Sequence, residues 1–155
     1  GPSELRAGLL SRMDRSTAMG TPLSPLPDHA RAGRLELPRR TPGVTIAGLP
    51  FEIEVIAENR STSVWPVMAP GPAHVVMLGT RWRTPDGAPV AEDPTAGTLP
   101  FDVAPGEQAR GRVGVVAPSG HDRLVLEIGL TQDGSWFPDP IQATLKVKPR
   151  AAGPR

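Results

Sequence analysis

The chain has 155 residues, with 17 lysines and arginines against 16 aspartates and glutamates, giving a net charge of +1. This length suits one domain of ordinary size. The balanced charge argues against a nucleic-acid binder, which usually carries a concentrated basic face. The absence of cysteine excludes disulfides and thiolate metal sites, and no apolar stretch reaches the ~20 residues of a membrane span. The basic residues are mainly arginines, which is typical of a GC-rich bacterial genome.

The N-terminal 32 residues differ in character from the rest. Gly1-Pro2-Ser3 looks like the remnant of a cleaved purification tag, so we expect the natural protein to be longer. Residues 4–19 have the apolar spacing of a short helix. It would be either a frayed tail of a preceding domain or a helix docked on the following domain or on a partner. Residues 21–28 contain three prolines and favour an extended linker.

From residue 34 onward the apolar residues fall into short alternating runs, as expected of strands with one buried face. The runs cover residues 34–37, 51–58, 74–83, 109–117, 124–130 and 141–147. Turn residues separate them, for example Pro85-Asp86-Gly87, in which proline fixes φ and glycine allows a positive φ. The predicted inward rows are Phe51, Ile53, Val55 and Ala57; Val76, Leu78, Thr80 and Trp82; Val113 and Val115; Leu124, Leu126, Ile128 and Leu130; Ile141, Ala143, Leu145 and Val147.

About seven short strands separated by turns, with no long helical pattern after residue 44, predict an all-β fold. A parallel sheet is not expected, because no segment could form the crossover helix of a βαβ unit. The sequence therefore predicts an antiparallel β-sandwich of the immunoglobulin-like or fibronectin-III-like kind, preceded by a flexible or partly helical segment. We place the tag remnant, short helix and linker in residues 1–32, the sandwich in 33–150 and a disordered tail in 151–155.

The sequence offers no arrangement of side chains typical of an enzyme. His29, His74 and His121 are scattered, and none stands at metal-ligand spacing from a partner. The string from Ser119 to Asp122 contains Ser, His and Asp, but adjacent residues cannot form a triad whose members converge from different elements. We therefore predict a non-catalytic chain with no catalytic residue, no metal and no cofactor.

Five residues are candidate ligand contacts. Trp65 follows a polar turn, and we expect it to be the most exposed of the three tryptophans, with packing at the edge of the core as the alternative. Arginines at four positions lie on strand faces opposite the predicted core, and they would form a basic stripe if their strands were neighbours. Such a stripe would suit an anionic ligand such as an acidic or phosphorylated glycan; otherwise it is a solvated sheet face. The four are Arg81, Arg83, Arg110 and Arg112.

The order of these turn and strand signals resembles the bacterial immunoglobulin-like accessory domains appended to glycosyltransferases and other proteins of cell-surface polysaccharide biosynthesis. The resemblance covers residues 44–148. One departure is at residues 120–124, where such domains often have Gly-x-Tyr and this chain has Gly-His-Asp-Arg-Leu. The segments that carry the resemblance are Glu58-Asn59-Arg60-Ser61, Val64-Trp65-Pro66, Leu78 to Trp82, Asp86-Gly87, Leu99-Pro100, Val103 to Glu107, Val116-Ala117-Pro118, and Leu126 to Trp136-Phe137.

The resemblance implies a non-catalytic module beside an enzyme of glycan assembly or export. Two functions follow from it. In the first, the module recognises a bacterial polysaccharide. In the second, it is a structural or protein-interaction domain that positions a neighbouring catalytic domain or mediates oligomerisation. We expect no nucleic-acid partner and no membrane span, and both the cytoplasm and the cell envelope remain open as locations.

Overall fold

The computed structural model describes residues 25–68, 74–90 and 95–150, which form two β-sheets packed around one core. The helix predicted over residues 4–19 and the tail at 151–155 lie outside the described residues. A single 3-10 turn, Asp28–Ala30, precedes the strands. The strands are β1 (Gly33–Glu36), β2 (Val44–Ile46), β3 (Pro50–Asn59), β4 (Val76–Arg83), β5 (Thr95–Gly97), β6 (Gln108–Val116), β7 (Arg123–Gln132), β8 (Ser135–Trp136) and β9 (Ile141–Lys148).

The two sheets differ in size. The smaller sheet has the order β1-β3-β6 and is antiparallel throughout. The larger sheet has the order β2-β9-β7-β4-β5, and β8 pairs with β7 to close a hairpin. Each sheet has one face toward the other sheet and one outer face toward solvent. This arrangement confirms the predicted all-β sandwich of two sheets.

The core lies between the two sheets and consists of the alternate side chains of each strand, as the period-two pattern predicts. Along β6 every second residue is buried and every intervening one is exposed. The residues that the sequence places inward and the structure buries are Ile53, Val55, Ala57, Val76, Leu78, Thr80, Trp82, Val113, Val115, Leu124, Leu126, Ile128, Leu130, Leu145 and Val147. Phe51 and Ile141 are partly buried and pack against the same cluster.

Two details of the topology differ from the sequence prediction. The described residues contain nine strands rather than about seven, because β2, β5 and β8 have only two or three residues and show no periodic pattern. In addition, β2 pairs with β9 in parallel. The chain leaves the smaller sheet after β1 and joins the larger one at β2, so the parallel pair needs no crossover helix.

The residues before β1 are packed onto one end of the sandwich. The backbone N–H of Leu26 donates to Gln132 Oε1 at 2.7 Å, and the carbonyl of Ala30 accepts a hydrogen bond from the indole of Trp65. Arg31 donates to Ser135 Oγ, and its guanidinium carbon lies 5.3 Å from the centroid of the Phe137 ring. This N-terminal lead, residues 25–32, therefore covers the end of the core next to β8.

Candidate functional site

The four arginines predicted to form one stripe lie on opposite sides of the molecule. Arg81 and Arg83 project from β4 on the outer face of the larger sheet, and Arg110 and Arg112 project from β6 on the outer face of the smaller sheet. The condition for a single basic stripe, that β4 and β6 are neighbours, is therefore not met. The reason is that β4 and β6 belong to different sheets, so their outward side chains point in opposite directions.

Trp65 is a core residue, so of the two alternatives that the sequence left open, packing against the core is correct and exposure is not. Its side chain is fully buried. The indole Nε1 donates to the carbonyl of Ala30 at 2.8 Å, and the ring meets Phe137 edge-on with centroids 5.6 Å apart. The N-terminal lead closes over this tryptophan, and that long-range contact leaves no signal in the local Val-Trp-Pro sequence. Trp65 cannot contact a ligand from this position.

Glu127 organises the centre of the outer face of the larger sheet. Its side chain is only 7% exposed although it is charged, and the two neighbouring strands supply its partners. From β4, Arg81 Nε donates to Oε1, and Arg83 Nε approaches the same oxygen at 3.4 Å. From β9, Gln142 Nε2 donates to Oε2 at 3.0 Å. Both carboxylate oxygens are engaged, so the two arginines and the amide are held in fixed positions.

Burial and hydrogen bonding act in opposite directions on Glu127. Burial disfavours the charged form and raises the pKa of the carboxyl group, whereas the hydrogen bonds from Gln142 and Arg81 and the positive charge of Arg81 lower it. The hydrogen bonds and the positive charge together outweigh burial, so the pKa of Glu127 lies below its ordinary value. The carboxylate is therefore ionised at neutral pH.

Trp136 is the aromatic side chain of this face. It stands opposite Thr131 in the β7–β8 hairpin and is half-buried. The ring packs over Gly129, where an added Cβ would lie 2.3 Å from the indole Cε3, and it also borders Gly79. Gly79 and Gly129 are cross-strand partners, so they form a floor without side chains under the ring. Arg81 stacks on the indole, with its guanidinium carbon 3.9 Å from the ring centroid.

Sequence reasoning did not place Trp136 with Glu127. The sequence contains a usable signal. Gly79 stands two residues before Arg81 and Gly129 two residues after Glu127, so each glycine shares the outward face of its strand with a charged residue. A glycine inside a strand often marks a close approach by another group. Pairing β4 with β7 in the observed register is needed to see that both glycines face the same ring.

The outer face of the larger sheet is strongly basic. Its described strands carry five cationic side chains and one carboxylate, that of Glu127. The cations are Arg81, Arg83, Arg123, Lys146 and Lys148. Arg123 and Lys146 are direct cross-strand partners, and Lys148 lies two residues further along β9. We call the group formed by Arg123, Lys146 and Lys148 the cationic end of this face.

The outer face of the smaller sheet is balanced in charge. Arg110 Nη1 donates to Glu54 on the neighbouring strand, and further glutamates line β3. Arg112, with Arg39, Arg40 and Glu52, lines an open cleft with a volume of about 260 Å³. Carboxylates mix with the guanidinium groups in this region, so it is a weaker candidate for an anionic ligand than the cationic end.

In the part of the chain that the structure describes, no group of three or more His, Asp or Glu side chains is placed to hold a metal ion. Within the same residues, no helix is long and apolar enough to cross a bilayer. No protein-family model and no curated protein sequence matches this chain. The fold is a two-sheet β-sandwich, and the larger sheet carries the most ordered polar cluster among the described residues.

Proposed function

We propose that this chain is a non-catalytic accessory domain of a bacterial polysaccharide-biosynthesis or export protein, and that it recognises a glycan. The observation that carries the proposal is the cluster of Trp136, Arg81, Glu127 and Gln142 on the outer face of the larger sheet. It combines the aromatic ring of β8, a guanidinium group of β4 and an amide of β9, and Glu127 of β7 holds the last two.

This combination suits the two kinds of surface that a sugar presents. The C–H groups of a pyranose need an apolar surface, here the exposed edge of the Trp136 ring and the guanidinium plane of Arg81 that stacks on it. Its hydroxyls need hydrogen-bond donors and acceptors beside that surface. Glu127 holds Arg81 and Gln142 in place before any ligand arrives. Fewer rotamers have to be frozen on binding, and the loss of side-chain entropy is smaller.

The experiment is affinity electrophoresis of the full chain in gels that contain a single soluble polysaccharide. The panel would include neutral dextran, mannan and β-glucan, together with acidic polygalacturonate and teichoic acid. We expect at least one polymer to retard the protein. Trp136→Ala and Gln142→Ala should each weaken that retardation about tenfold, which corresponds to about 1.4 kcal/mol.

Thr144→Ala is the matched control, because Thr144 is exposed on the same face of β9 but outside the cluster. Circular dichroism of each variant separates lost binding from lost folding. The proposal fails if no polymer retards the wild-type protein, or if folded Trp136→Ala and Gln142→Ala variants both migrate like wild type.

A protein-interaction role is the second candidate, and a specific observation favours it. Strand β2 lies at the edge of the larger sheet, and Val44, Ile46 and nearby Leu49 are 46%, 38% and 38% exposed. Exposed edge strands with aliphatic side chains are common sites of strand or surface pairing. Sedimentation velocity tests this role: a dimer that persists on dilution and is lost in Ile46→Lys would support it, whereas a monomer at all concentrations would exclude self-association.

A further inference from the structure

The cationic end contains like charges in direct register. Arg123 and Lys146 are Cα partners in the antiparallel β7–β9 pair, and both are exposed on the same outer face. Lys148 continues the row and stands beside Ile46 of β2. None of the three forms an ion pair of 4 Å or less with any residue that the structure describes.

The pair of Arg123 and Lys146 destabilises the folded state, because like charges directly opposite each other on a sheet repel. The carboxylate of Glu127 does not compensate it. Glu127 is four residues from Arg123 along β7, about 14 Å at the usual rise per residue, and its two oxygens already have partners. Asp122 precedes Arg123, and its backbone carbonyl accepts from the N–H of Val147, but its carboxylate forms no ion pair of 4 Å or less with a residue that the structure describes.

We propose that the cationic end binds the acidic groups of a glycan, so that the ligand of this domain is a polyanionic chain bearing carboxylates or phosphates. This inference rests on the function proposed above and adds the chemical class of the ligand. A bound carboxylate or phosphate relieves the repulsion between Arg123 and Lys146. The guanidinium group of Arg123 can engage such an anion with two hydrogen bonds, and lysines supply compact point charges.

The position of the cationic end also sets the shape of the ligand. Trp136 stands opposite Thr131 on β7, and Arg123 is eight residues away at the other end of that strand. The separation is about 27 Å at the usual rise per residue. One ligand that contacts both Trp136 and Arg123 is therefore an extended chain that lies along β7 rather than a single sugar.

The experiment measures binding of the full chain by isothermal titration calorimetry at several salt concentrations. The probes are polygalacturonate and teichoic acid as acidic glycans, dextran as the neutral glycan, phosphatidylglycerol vesicles and a single-stranded oligonucleotide. The variants are Arg123→Gln, Lys146→Gln and Lys148→Gln. Arg112→Gln is the matched control, because Arg112 is exposed on the opposite face and forms no ion pair with a described residue.

We expect an acidic glycan to bind more tightly than dextran, and we expect salt to weaken its binding. Each variant of the cationic end should lower the affinity for it about fivefold to tenfold, and Arg112→Gln should leave it within about twofold, by the usual range for single charged contacts. Lys146→Gln should melt at or above the wild-type temperature, since it removes a repulsion. Weakened binding would then not be the result of unfolding.

The outcomes separate this inference from the proposed function. If dextran binds as well as the acidic glycans, and binding depends on Trp136 but not on Lys146, the glycan function stands and the polyanionic ligand is wrong. If binding of the acidic glycans depends on Lys146 but not on Trp136, the polyanionic ligand is correct and the Trp136 cluster is not the glycan site. If vesicles or the oligonucleotide bind more tightly than every glycan, or nothing binds, both proposals are overturned.

Discussion

Asn59 shows how one buried amide can determine the course of a loop. Its Nδ2 donates to the carbonyls of Ser63 and Val103, both at 2.8 Å, and its Oδ1 accepts from the N–H of Ser61 at 2.9 Å. The side chain is completely buried at the end of β3. The sequence predicted only a polar turn at this position, because the contact with Val103 joins residues 44 positions apart.

Asn59→Asp should destabilise the domain strongly. The substitution preserves shape but removes both donors and places a carboxylate against two carbonyl oxygens in a buried site. We expect a loss of about 3–5 kcal/mol at pH 7, as for other uncompensated buried charges, measured by urea denaturation. Ser63→Ala is the control, since Ser63 contributes its backbone carbonyl, and it should change stability by less than about 0.5 kcal/mol. Equal stability of Asn59→Asp and wild type would contradict this account.

Glu127 predicts a pH dependence of stability. The pKa of its carboxyl group is lowered in the folded state, so the unfolded chain takes up the proton first as the pH falls. The stabilisation that Glu127 provides is complete above the unfolded pKa of about 4.3 and is lost as the pH falls through the folded value. Glu127→Gln should therefore be less stable than wild type at pH 7, and the gap should narrow below about pH 4.

Urea denaturation from pH 7 to pH 3 measures this gap. Glu52→Gln, an exposed glutamate on the opposite face, controls for the loss of one carboxylate. A constant difference between Glu127→Gln and wild type across the range would mean that Glu127 is not held in its charged form by Arg81 and Gln142.

At the scale of the strands, the glycine floor under Trp136 can be tested by adding one methyl group. In Gly129→Ala the new Cβ would lie 2.3 Å and 2.4 Å from two indole carbons, so the ring must leave its place. We expect a loss of about 1–3 kcal/mol, typical of overpacking. Because Trp65 and Trp82 are buried, increased quenching of tryptophan fluorescence by acrylamide would report the displacement of Trp136.

Gly114→Ala is the matched control for that substitution. Gly114 also lies inside a strand, β6, but an added Cβ there meets no atom within 4 Å. Alanine should be neutral or should stabilise the strand by up to about 1 kcal/mol, because glycine loses more backbone entropy on folding. If both alanine variants behave alike, contact with Trp136 is not the reason for glycine at position 129.

The same strands show how much the sequence could predict. Alternation along β3, β4, β6 and β7 determines which side chains are buried, and those rows agree with the prediction because each strand carries its own pattern. The pattern within a strand does not, however, indicate which of the two sheets the strand joins. Nothing within β4 or β6 indicates that they lie in separate sheets, so the stripe of four arginines could not be tested without the topology.

At the scale of the whole molecule, the N-terminal lead contributes to stability. A chain that begins at residue 33, the predicted start of the sandwich, would lack the Ala30 carbonyl that accepts from Trp65 and the Leu26 N–H that donates to Gln132. Compared with a chain that begins at Pro25, we expect a loss of about 1–3 kcal/mol, the usual penalty for leaving buried polar groups without partners. Thermal denaturation of the two truncated chains measures it, and equal melting temperatures would refute it.

The parallel pairing of β2 with β9 has a mechanical consequence. Tension on the two ends of the domain would reach the β2–β9 pair at Val44 of β2 and at Lys148 of β9. These two residues lie at opposite ends of the paired segment. In that orientation a stretching force shears the bridging hydrogen bonds together instead of unzipping them one after another. A domain tethered between two larger bodies would thus resist extension through its first and last contacts with the larger sheet, even after β1 had peeled away.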